Sequence, residues 1–324
     1  RMPVGLHLKG PRPPAGWPDA LGPHILSASD EAFDVGVVQS HALAVDPGAT
    51  RRKLELWSAS SAETTAREGR WLADNADAVL ADMPPTAVAA ATAAGIPAIT
   101  HGNFSWDWIY HQMGLAEAAA QAERDYRHAR LLIELAPACP MPAFEPRERV
   151  GELGRRPALD PARVRADLGL AGNEQVVLIA IGGGDTSVCA LPPPSPDLVY
   201  LAPDLPLSRK DVLPDVGIPF IELLGAADLV VAKPGYGIYG DTWATGQRVL
   251  LAPRWGFPED VYLERALASR SGTLALAPEQ LERGDWSREL RSILEMERPG
   301  PGEAPGGRRA ADIIARVLEE TVAA

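Results

Sequence analysis

Short apolar runs alternate with helical patterns along the first half of the chain. Runs of strand length predict strands at Val4–Leu8, Ala78–Ala81, Ala98–Thr100 and, more weakly, Val35–Val38. Apolar residues at helical spacing predict helices over Thr50–Asn75, Thr86–Ala94 and a long segment from Trp108 to Leu135. Gly95 and then Pro97 supply the expected stop after the second of these helices. Strand, helix and strand at this spacing predict parallel βαβ units.

The second half repeats this alternation of predicted strands and helices. Six consecutive apolar residues follow Gln175 and predict a buried strand that runs into a glycine-rich turn. Further strands are predicted at Leu198–Leu201, Asp228–Ala232 and Arg248–Ala252, the last of them closing the sheet. Helices are predicted at Phe220–Ala226, Ile238–Thr245 and Pro258–Ser269. A proline- and glycine-rich segment, 298–309, precedes an amphipathic helix over 310–322.

A charged segment, 143–172, separates the two patterns and contains one predicted helix, Asp160–Leu168. The chain of 324 residues is about twice the length of a typical domain. We therefore predict two α/β domains, residues 1–148 and residues 149–324, the second ending with the helix 310–322.

Composition and charge exclude several classes of protein. A net charge of -12 argues against a nucleic-acid partner, since phosphate backbones bind basic surfaces. Two cysteines form neither a disulfide framework nor a zinc cluster, so no metal is expected. Without an apolar run of about 20 residues, no transmembrane segment is expected either. These features predict a cytoplasmic protein and leave the oligomeric state open.

Two glycine motifs follow predicted strands in the second half. Gly182, Gly183 and Gly184 precede Asp185, where backbone amides could hold an anionic oxygen; the alternative is a tight βα turn. The second motif, Lys233-Pro-Gly235-Tyr236-Gly237, opens a helix whose N-terminal amides suit a diphosphate. Lys233 is one of four lysines, with those at 9, 53 and 210.

Acidic residues near these motifs are candidate sugar ligands. Asp241, on the first turn after the second motif, could accept hydrogen bonds from a ribose diol or could complement the helix dipole. Glu259 and Asp260 could accept from sugar hydroxyls or could cap the helix that they begin.

In the first half, polar and aromatic side chains gather in the loop His101–Asp107, at the end of a predicted strand. Ligands of α/β proteins bind at such ends. His101 and Asp107 are the candidate catalytic bases, and Asn103, Ser105 and Trp106 are candidate acceptor-side residues. Asp82 ends the neighbouring strand and either faces the same cleft or caps the following helix.

Several segments resemble the glycosyltransferase-like domain of L-arabinokinases. The matching residues are Ala78–Asp82, Ala94–Pro97, Asn103–Asp107 with Ile109-Tyr110, Cys139–Phe144, Gly235–Gly237 and Gly306-Gly307. The second half is more loosely similar to the nucleotide-sugar half of the bacterial lipid II N-acetylglucosaminyltransferase. The resemblance implies a GT-B fold, in which two Rossmann-like domains face each other across a cleft.

The same resemblance implies a metal-independent glycosyltransferase that uses a nucleotide sugar, UDP-linked, without a further cofactor, and a small hydroxylated acceptor. It implies that Phe220 and Ile221 present backbone to the base and that Gly235, Tyr236 and Gly237 lie on the phosphates. By the same comparison, Asp241 stands at the ribose, in place of a longer glutamate. Glu259 and Asp260 stand at the transferred sugar.

One feature departs from the resemblance. Relatives open with a buried strand that runs into a glycine-histidine-glycine loop, whereas this sequence begins at what resembles their second strand. A longer natural sequence and a degenerate family member both remain as explanations. The absent loop leaves open a second function, a nucleotide-sugar-binding protein without catalysis. A nucleotide-sugar epimerase or hydrolase is a third, since that chemistry shares the fold.

Overall fold

The computed structural model describes residues 4–10, 19–170, 172–182, 185–203, 205, 209–213 and 217–323. The strands of the first half are β1 (Leu6–Lys9), β2 (Ile25–Ser29), β3 (Gln39–His41), β4 (Ala44–Val45), β5 (Val79–Ala81), β6 (Ala98–Gly102), β7 (Leu131–Ala136) and β8 (Arg147–Glu152). Its helices are α1 (Pro47–Asn75), α2 (Pro85–Ala94), α3 (Trp106–Gln112) and α4 (Ala116–Tyr126).

The first half is built around a parallel sheet in the order β5-β6-β7-β8. Helices α1 and α2 form as the apolar spacing predicts; Asp46 caps α1 by accepting from the Ala49 amide, and Gly95 ends α2 in the left-handed conformation. Strands β1 and β2 form a separate parallel pair. Lys9 joins this pair to α1 through an ion pair with Glu68 at 2.6 Å.

The first half differs from the sequence prediction in several places, and the strands β2, β3 and β4 were not predicted. The segment predicted as one long helix to Leu135 forms two helices, α3 and α4, and residues 131–136 form the strand β7 inside the sheet. Val35–Val38 is no strand, because the Val38 amide bonds the Thr50 side chain of α1 rather than a neighbouring strand. The unpredicted strand β8 crosses residue 148, where we had divided the domains, and extends the first sheet.

The second half continues the α/β alternation. Its strands are β9 (Gln175–Ala180), β10 (Leu198–Leu201), β11 (Val212–Leu213), β12 (Leu229–Ala232), β13 (Val249–Leu251) and β14 (Thr273–Ala275). Its helices are α5 (Pro161–Asp167), α6 (Phe220–Ala226), α7 (Tyr236–Thr245), α8 (Asp260–Ala268), α9 (Pro278–Arg283), α10 (Ser287–Glu295) and α11 (Gly306–Ala323). The sequence prediction missed β11, β14, α9 and α10.

The strands of the second half form one parallel sheet in the order β11-β10-β9-β12-β13-β14. Apolar clusters cover both of its faces, as expected for a sheet between helix layers. One cluster contains Trp286, the N-cap residue of α10, and the other contains Leu263 and Leu267 of α8. The two clusters hold the carboxyl ends of β9, β12 and β13 at one edge of the domain.

Helix α11 returns from the second half to the first. The prediction of a closing helix at 310–322 is confirmed, but Val317 packs with Ile99, Leu131 and Val150 of the first sheet. Arg316 pairs with Glu148 of β8 at 2.5 Å. The contacts of this helix therefore lie with the first half, unlike the predicted assignment to the second.

A hairpin crosses in the opposite direction. Strands β3 and β4 are joined at Ala42 and Leu43, which are fully buried in a core cluster of the second half. The Ala42 amide donates to the Asp185 carbonyl at 2.9 Å, and the Leu43 carbonyl accepts from the Trp255 amide at 2.7 Å. We call residues 39–45 the crossing hairpin.

Candidate functional site

The predicted anion site lies at the carboxyl edge of the second sheet. Gly182 follows β9, and Lys233 follows β12 directly, while Gly183 and Gly184 lie outside the described residues. Helix α7 begins at Tyr236, after Gly235, and within the described part of the chain no side chain caps its first turn. Apart from its chain neighbours and the backbone of its own helix, no described atom lies within 4 Å of the place where a Cβ on Gly237 would stand. Uncapped amides at the start of a helix suit an anion.

The order of the strands arranges the other candidate residues along this edge. Phe220 and Ile221 open α6, which follows the edge strand β11. The loops after β9 and β12 come next, and the loop after β13 carries Arg254 and Trp255. The same edge thus presents, in spatial order, the residues predicted for the base, the phosphates and the sugar.

The loop of the first half meets this edge across the cleft. Phe104 stacks on Tyr236, with ring centroids 5.8 Å apart, and Trp108 contacts Tyr262 of α8 at 5.6 Å. The thiol of Cys139 lies 3.1 Å from the Tyr236 hydroxyl. Burial raises the pKa of Cys139 to about 12 and raises the pKa of Tyr236 well above its ordinary value. Both groups are therefore uncharged contacts between the two halves at neutral pH.

His101 and Asp82 lie together on the first-half side. The His101 Nδ1 atom is 3.9 Å from the Asp82 carboxylate, whose side chain is 83% exposed. Met83, which follows Asp82, has a positive φ of 65°, and its carbonyl accepts from the buried Tyr126 hydroxyl. A non-glycine residue adopts this conformation only where its surroundings hold it, so the turn that presents Asp82 is fixed.

The other loop residues divide between the cleft and the interior. Trp106 donates from Nε1 to Asp34 at 2.8 Å, and burial raises the pKa of Asp34. Asn103 donates its amide to the Pro137 carbonyl, which shapes the loop that carries Cys139. Ser105 is fully buried, and its hydroxyl has no hydrogen-bond partner among the described residues.

Asp107 is not brought to the cleft. It is 5% exposed on the first turn of α3, and burial raises the pKa of its carboxyl, with a further contribution from Glu123 of α4. Its Oδ1 atom has no partner in the described part of the chain. Of the two predicted bases, only His101 stands at the end of a strand beside an exposed carboxylate.

The acidic residues of the second half are engaged by arginines. Asp241 is 3% exposed and accepts from the Arg155 amide at 2.8 Å and from the Arg155 guanidinium at 2.6 Å. Both carboxylate oxygens of Asp241 are therefore engaged by Arg155. Arg254 pairs with both Glu259 and Asp260, and its guanidinium lies 3.8 Å from the Phe257 ring centroid. Burial raises the pKa of each of these two acids despite the arginine.

Sequence reasoning missed Asp34, the contact residue Cys139 and the crossing hairpin. Asp34 lies outside every periodic segment, so no local pattern distinguishes it. Cys139 belongs to a stretch that carried the resemblance, which could have drawn attention to it. The hairpin gives little signal, because its apolar run, 42–45, is only four residues long and its two strands are three and two residues long.

This geometry is that of the GT-B fold, with two Rossmann-like domains facing across a cleft. Solved proteins that share it include CalG4, the calicheamicin glycosyltransferase, at 17% identity and a TM-score of 0.53 over 93% of this chain and 85% of that chain. The spinosyn rhamnosyltransferase SpnG matches at 14% identity with a TM-score of 0.53, and the match covers 91% of this chain and 87% of that chain. MnaA of S. aureus, solved with UDP, matches at 12% identity with a TM-score of 0.52, and the match covers 81% of this chain and 82% of that chain.

In sequence, the chain is similar to L-arabinokinase of Arabidopsis thaliana, with 30% identity over 309 residues. The match covers 89% of this chain and 29% of that protein, so the chain spans less than a third of its relative. No family model matches the chain. Among the described helices, none is long and apolar enough to cross a membrane.

Proposed function

We propose that the protein is a glycosyltransferase that moves a sugar from a nucleoside diphosphate donor, UDP-linked, to a small hydroxylated acceptor. The observation that carries this proposal is the uncapped start of α7, beside Lys233, facing the His101 loop across the cleft. The similarity of the fold to that of known glycosyltransferases supports the class of reaction, and the geometry of the site supports the roles proposed for its residues.

The second half would stabilise the leaving diphosphate. Charge develops on it as the bond to the sugar breaks, and preorganised amides and cations stabilise such charge. The first amides of α7 and the ammonium of Lys233 are the donors at this edge. Lys233 also donates to the Ala42 carbonyl at 2.9 Å, which holds its side chain at the edge. This set makes the proposed transfer independent of a metal ion.

The first half would activate the acceptor. His101, with Asp82 beside it, is the proposed general base for the acceptor hydroxyl, because a carboxylate near an imidazole stabilises the imidazolium that forms. The Asp34–Trp106 pair supplies a further acceptor-side contact. A positioned base of this kind typically contributes about 10²–10⁴-fold in rate.

A binding screen tests the donor site. Thermal shift with UDP, dTDP, GDP and ADP should show one nucleotide that stabilises the protein by about 2.7 kcal/mol at 100 times its dissociation constant. Stabilisation by none of them would overturn the proposal. A nucleotide that binds without any turnover would instead support a binding protein, and turnover of donor alone would support an epimerase or hydrolase.

A matched pair of variants tests the base. We expect His101→Ala to lower the initial rate of transfer by about 10²-fold or more. Asp107→Asn should keep the rate within a few-fold, since Asp107 lies in the interior. Transfer at the wild-type rate in His101→Ala would remove His101 from the mechanism.

A further inference from the structure

The crossing hairpin brings a histidine of the first half to the sugar end of the second-half edge. Four hydrogen bonds hold the hairpin there. Ala42 bonds the Asp185 carbonyl, Leu43 and Val45 bond the backbone of Trp255 at 2.7 and 3.0 Å, and Lys233 donates to the Ala42 carbonyl. The position of His41, next to this tip, is therefore fixed by backbone contacts on both sides.

Three residues lie next to the hairpin tip. The rings of His41 and Trp255 are 6.0 Å apart at an angle of 69°. Trp255 is 37% exposed although it is held by the backbone bonds above. Asp185 accepts from the Ala42 amide through its carbonyl, and its side chain is exposed. Hydrogen bonds from Ser187 lower the pKa of Asp185, so its carboxylate stays ionised.

The hairpin also selects the tautomer of His41. The Leu43 amide donates to His41 Nδ1 at 3.3 Å, so the neutral ring carries its proton on Nε2. Nε2 is then a hydrogen-bond donor. The backbone contacts of the hairpin bring two more residues to the same place: Asp185, which carries an exposed carboxylate, and Trp255, whose indole combines a large apolar face with a polar N–H. A pyranose or furanose ring offers the matching chemistry, with hydroxyls at its rim and C–H groups on its faces.

The residues predicted to bind the transferred sugar are already paired with an arginine, so the recognition of the sugar is left to other side chains. Glu259 and Asp260 are both paired with Arg254, the residue directly before Trp255. Trp255 lies in the loop after β13, beyond the α7 amides along the edge from α6. A donor whose base lies near α6 and whose phosphates lie on α7 would extend its sugar towards this loop.

We propose that His41, Asp185 and Trp255 form the subsite for the sugar ring of the nucleotide-sugar donor, contributed jointly by the two halves. The inference rests on the proposed function and adds to it a sugar-recognition surface. His41 Nε2 donates to one hydroxyl oxygen, Asp185 accepts from another hydroxyl, and Trp255 covers one face of the ring.

Calorimetric titration of the full chain with UDP and with UDP-glucose, UDP-galactose and UDP-xylose tests the subsite. The variants are His41→Asn and Trp255→Ala. Asparagine can accept from the Leu43 amide in place of Nδ1 while lacking the Nε2 donor, and the hydrogen bonds of Trp255 to the hairpin come from its backbone, which Trp255→Ala keeps. Ser40→Ala, on the same hairpin, is the control, since Ser40 is exposed and its hydroxyl makes one long hydrogen bond, 3.5 Å, to the Ala44 carbonyl.

We expect each variant to weaken binding of the preferred UDP-sugar about tenfold and to leave UDP binding and Tm unchanged, with Ser40→Ala like the wild type. Equal losses for UDP and UDP-sugar, or no loss for either, would overturn the subsite while the donor site stands. If the wild type bound no nucleotide in the proposed-function screen, the proposed function would fail, and this assignment with it.

Discussion

The substitution Asp241→Asn separates a structural role from a ligand-binding role at a residue that the family resemblance places at the ribose. In the structure, Asp241 accepts from the amide of Arg155 and from two nitrogens of its guanidinium, at distances from 2.6 to 3.3 Å. Asparagine keeps the shape and one acceptor oxygen but removes the charge. The protein should therefore lose stability and keep its affinity for nucleotide.

The expected loss of stability follows from the solvent exposure of the two side chains of the ion pair, Asp241 and Arg155. Hydrogen bonds to charged groups contribute about 1.5–3 kcal/mol. The larger loss of about 3–5 kcal/mol for breaking a buried pair does not apply, because the Arg155 side chain is 65% exposed and returns to water. We expect a loss of about 2 kcal/mol. Unfolding entropies of about 2.1 cal/mol/K per residue, over 324 residues, convert this into a fall of roughly 3 °C in Tm.

The assay combines differential scanning calorimetry with nucleotide titration of the same samples. Arg155→Ala should destabilise more than Asp241→Asn, since it leaves a carboxylate that is 4% exposed without its cation. Asp74→Asn, an exposed aspartate on α1, controls for the loss of one charge. A tenfold loss of UDP affinity in Asp241→Asn at unchanged Tm would refute the structural role and restore the ribose contact.

Three further outcomes are expected. Burial by itself would raise the pKa of Glu68, but hydrogen bonds from Lys9 and Arg67 hold it below its ordinary value. The stability that Glu68 contributes is thus present above its unfolded pKa and lost as pH falls through the folded pKa. In urea titrations Glu68→Gln should lose about 2–3 kcal/mol at pH 7, and its deficit against the wild type should shrink as the pH is lowered through the acidic range; a deficit that does not change with pH would contradict this. The thiols of Cys139 and Cys189, both buried with pKa values raised to about 12, should react with a disulfide reagent at pH 8 only after denaturation, and prompt labelling of the folded protein would disprove their burial. Glycosyl transfer should proceed in excess EDTA at the rate without chelator, and loss of transfer that Mg²⁺ restores would contradict the proposed metal independence.

The elements that the sequence predicted correctly are those with local causes. Helix α2 ends where Gly95 allows a left-handed residue, and β9 follows from an uninterrupted apolar run. Strand β7 was misread as helix because its residues are apolar at positions that suit either structure. What makes it a strand is remote: its backbone pairs with β6 on one side and β8 on the other, and Glu134 adds ion pairs to Arg147 and Arg149 of β8 at 3.2 and 2.7 Å.

The residues of the candidate site also divide into those that a local sequence pattern predicts and those that depend on remote contacts. The glycine motif at the start of α7 could be predicted, since a strand followed by Gly-x-Gly and a helix is a local pattern. The partner of Asp241 could not, because Arg155 is 86 residues away in the chain. Nor could the interior position of Asp107, which depends on the packing of α3 against α4. Each miss is a pairing that only the folded chain brings together.

The return of α11 to the first sheet means that the chain passes between the halves twice at one place. The two passing segments touch: Arg156 donates to the Gly302 carbonyl at 2.9 Å, and a Cβ on Gly306 would meet the Glu152 carbonyl at 2.5 Å. Sliding one half along the other would pull these segments apart, so we expect any opening of the cleft to be a rotation about them. Since four hydrogen bonds bind the crossing hairpin to the second half, such a rotation would carry the hairpin away from the rest of the first half.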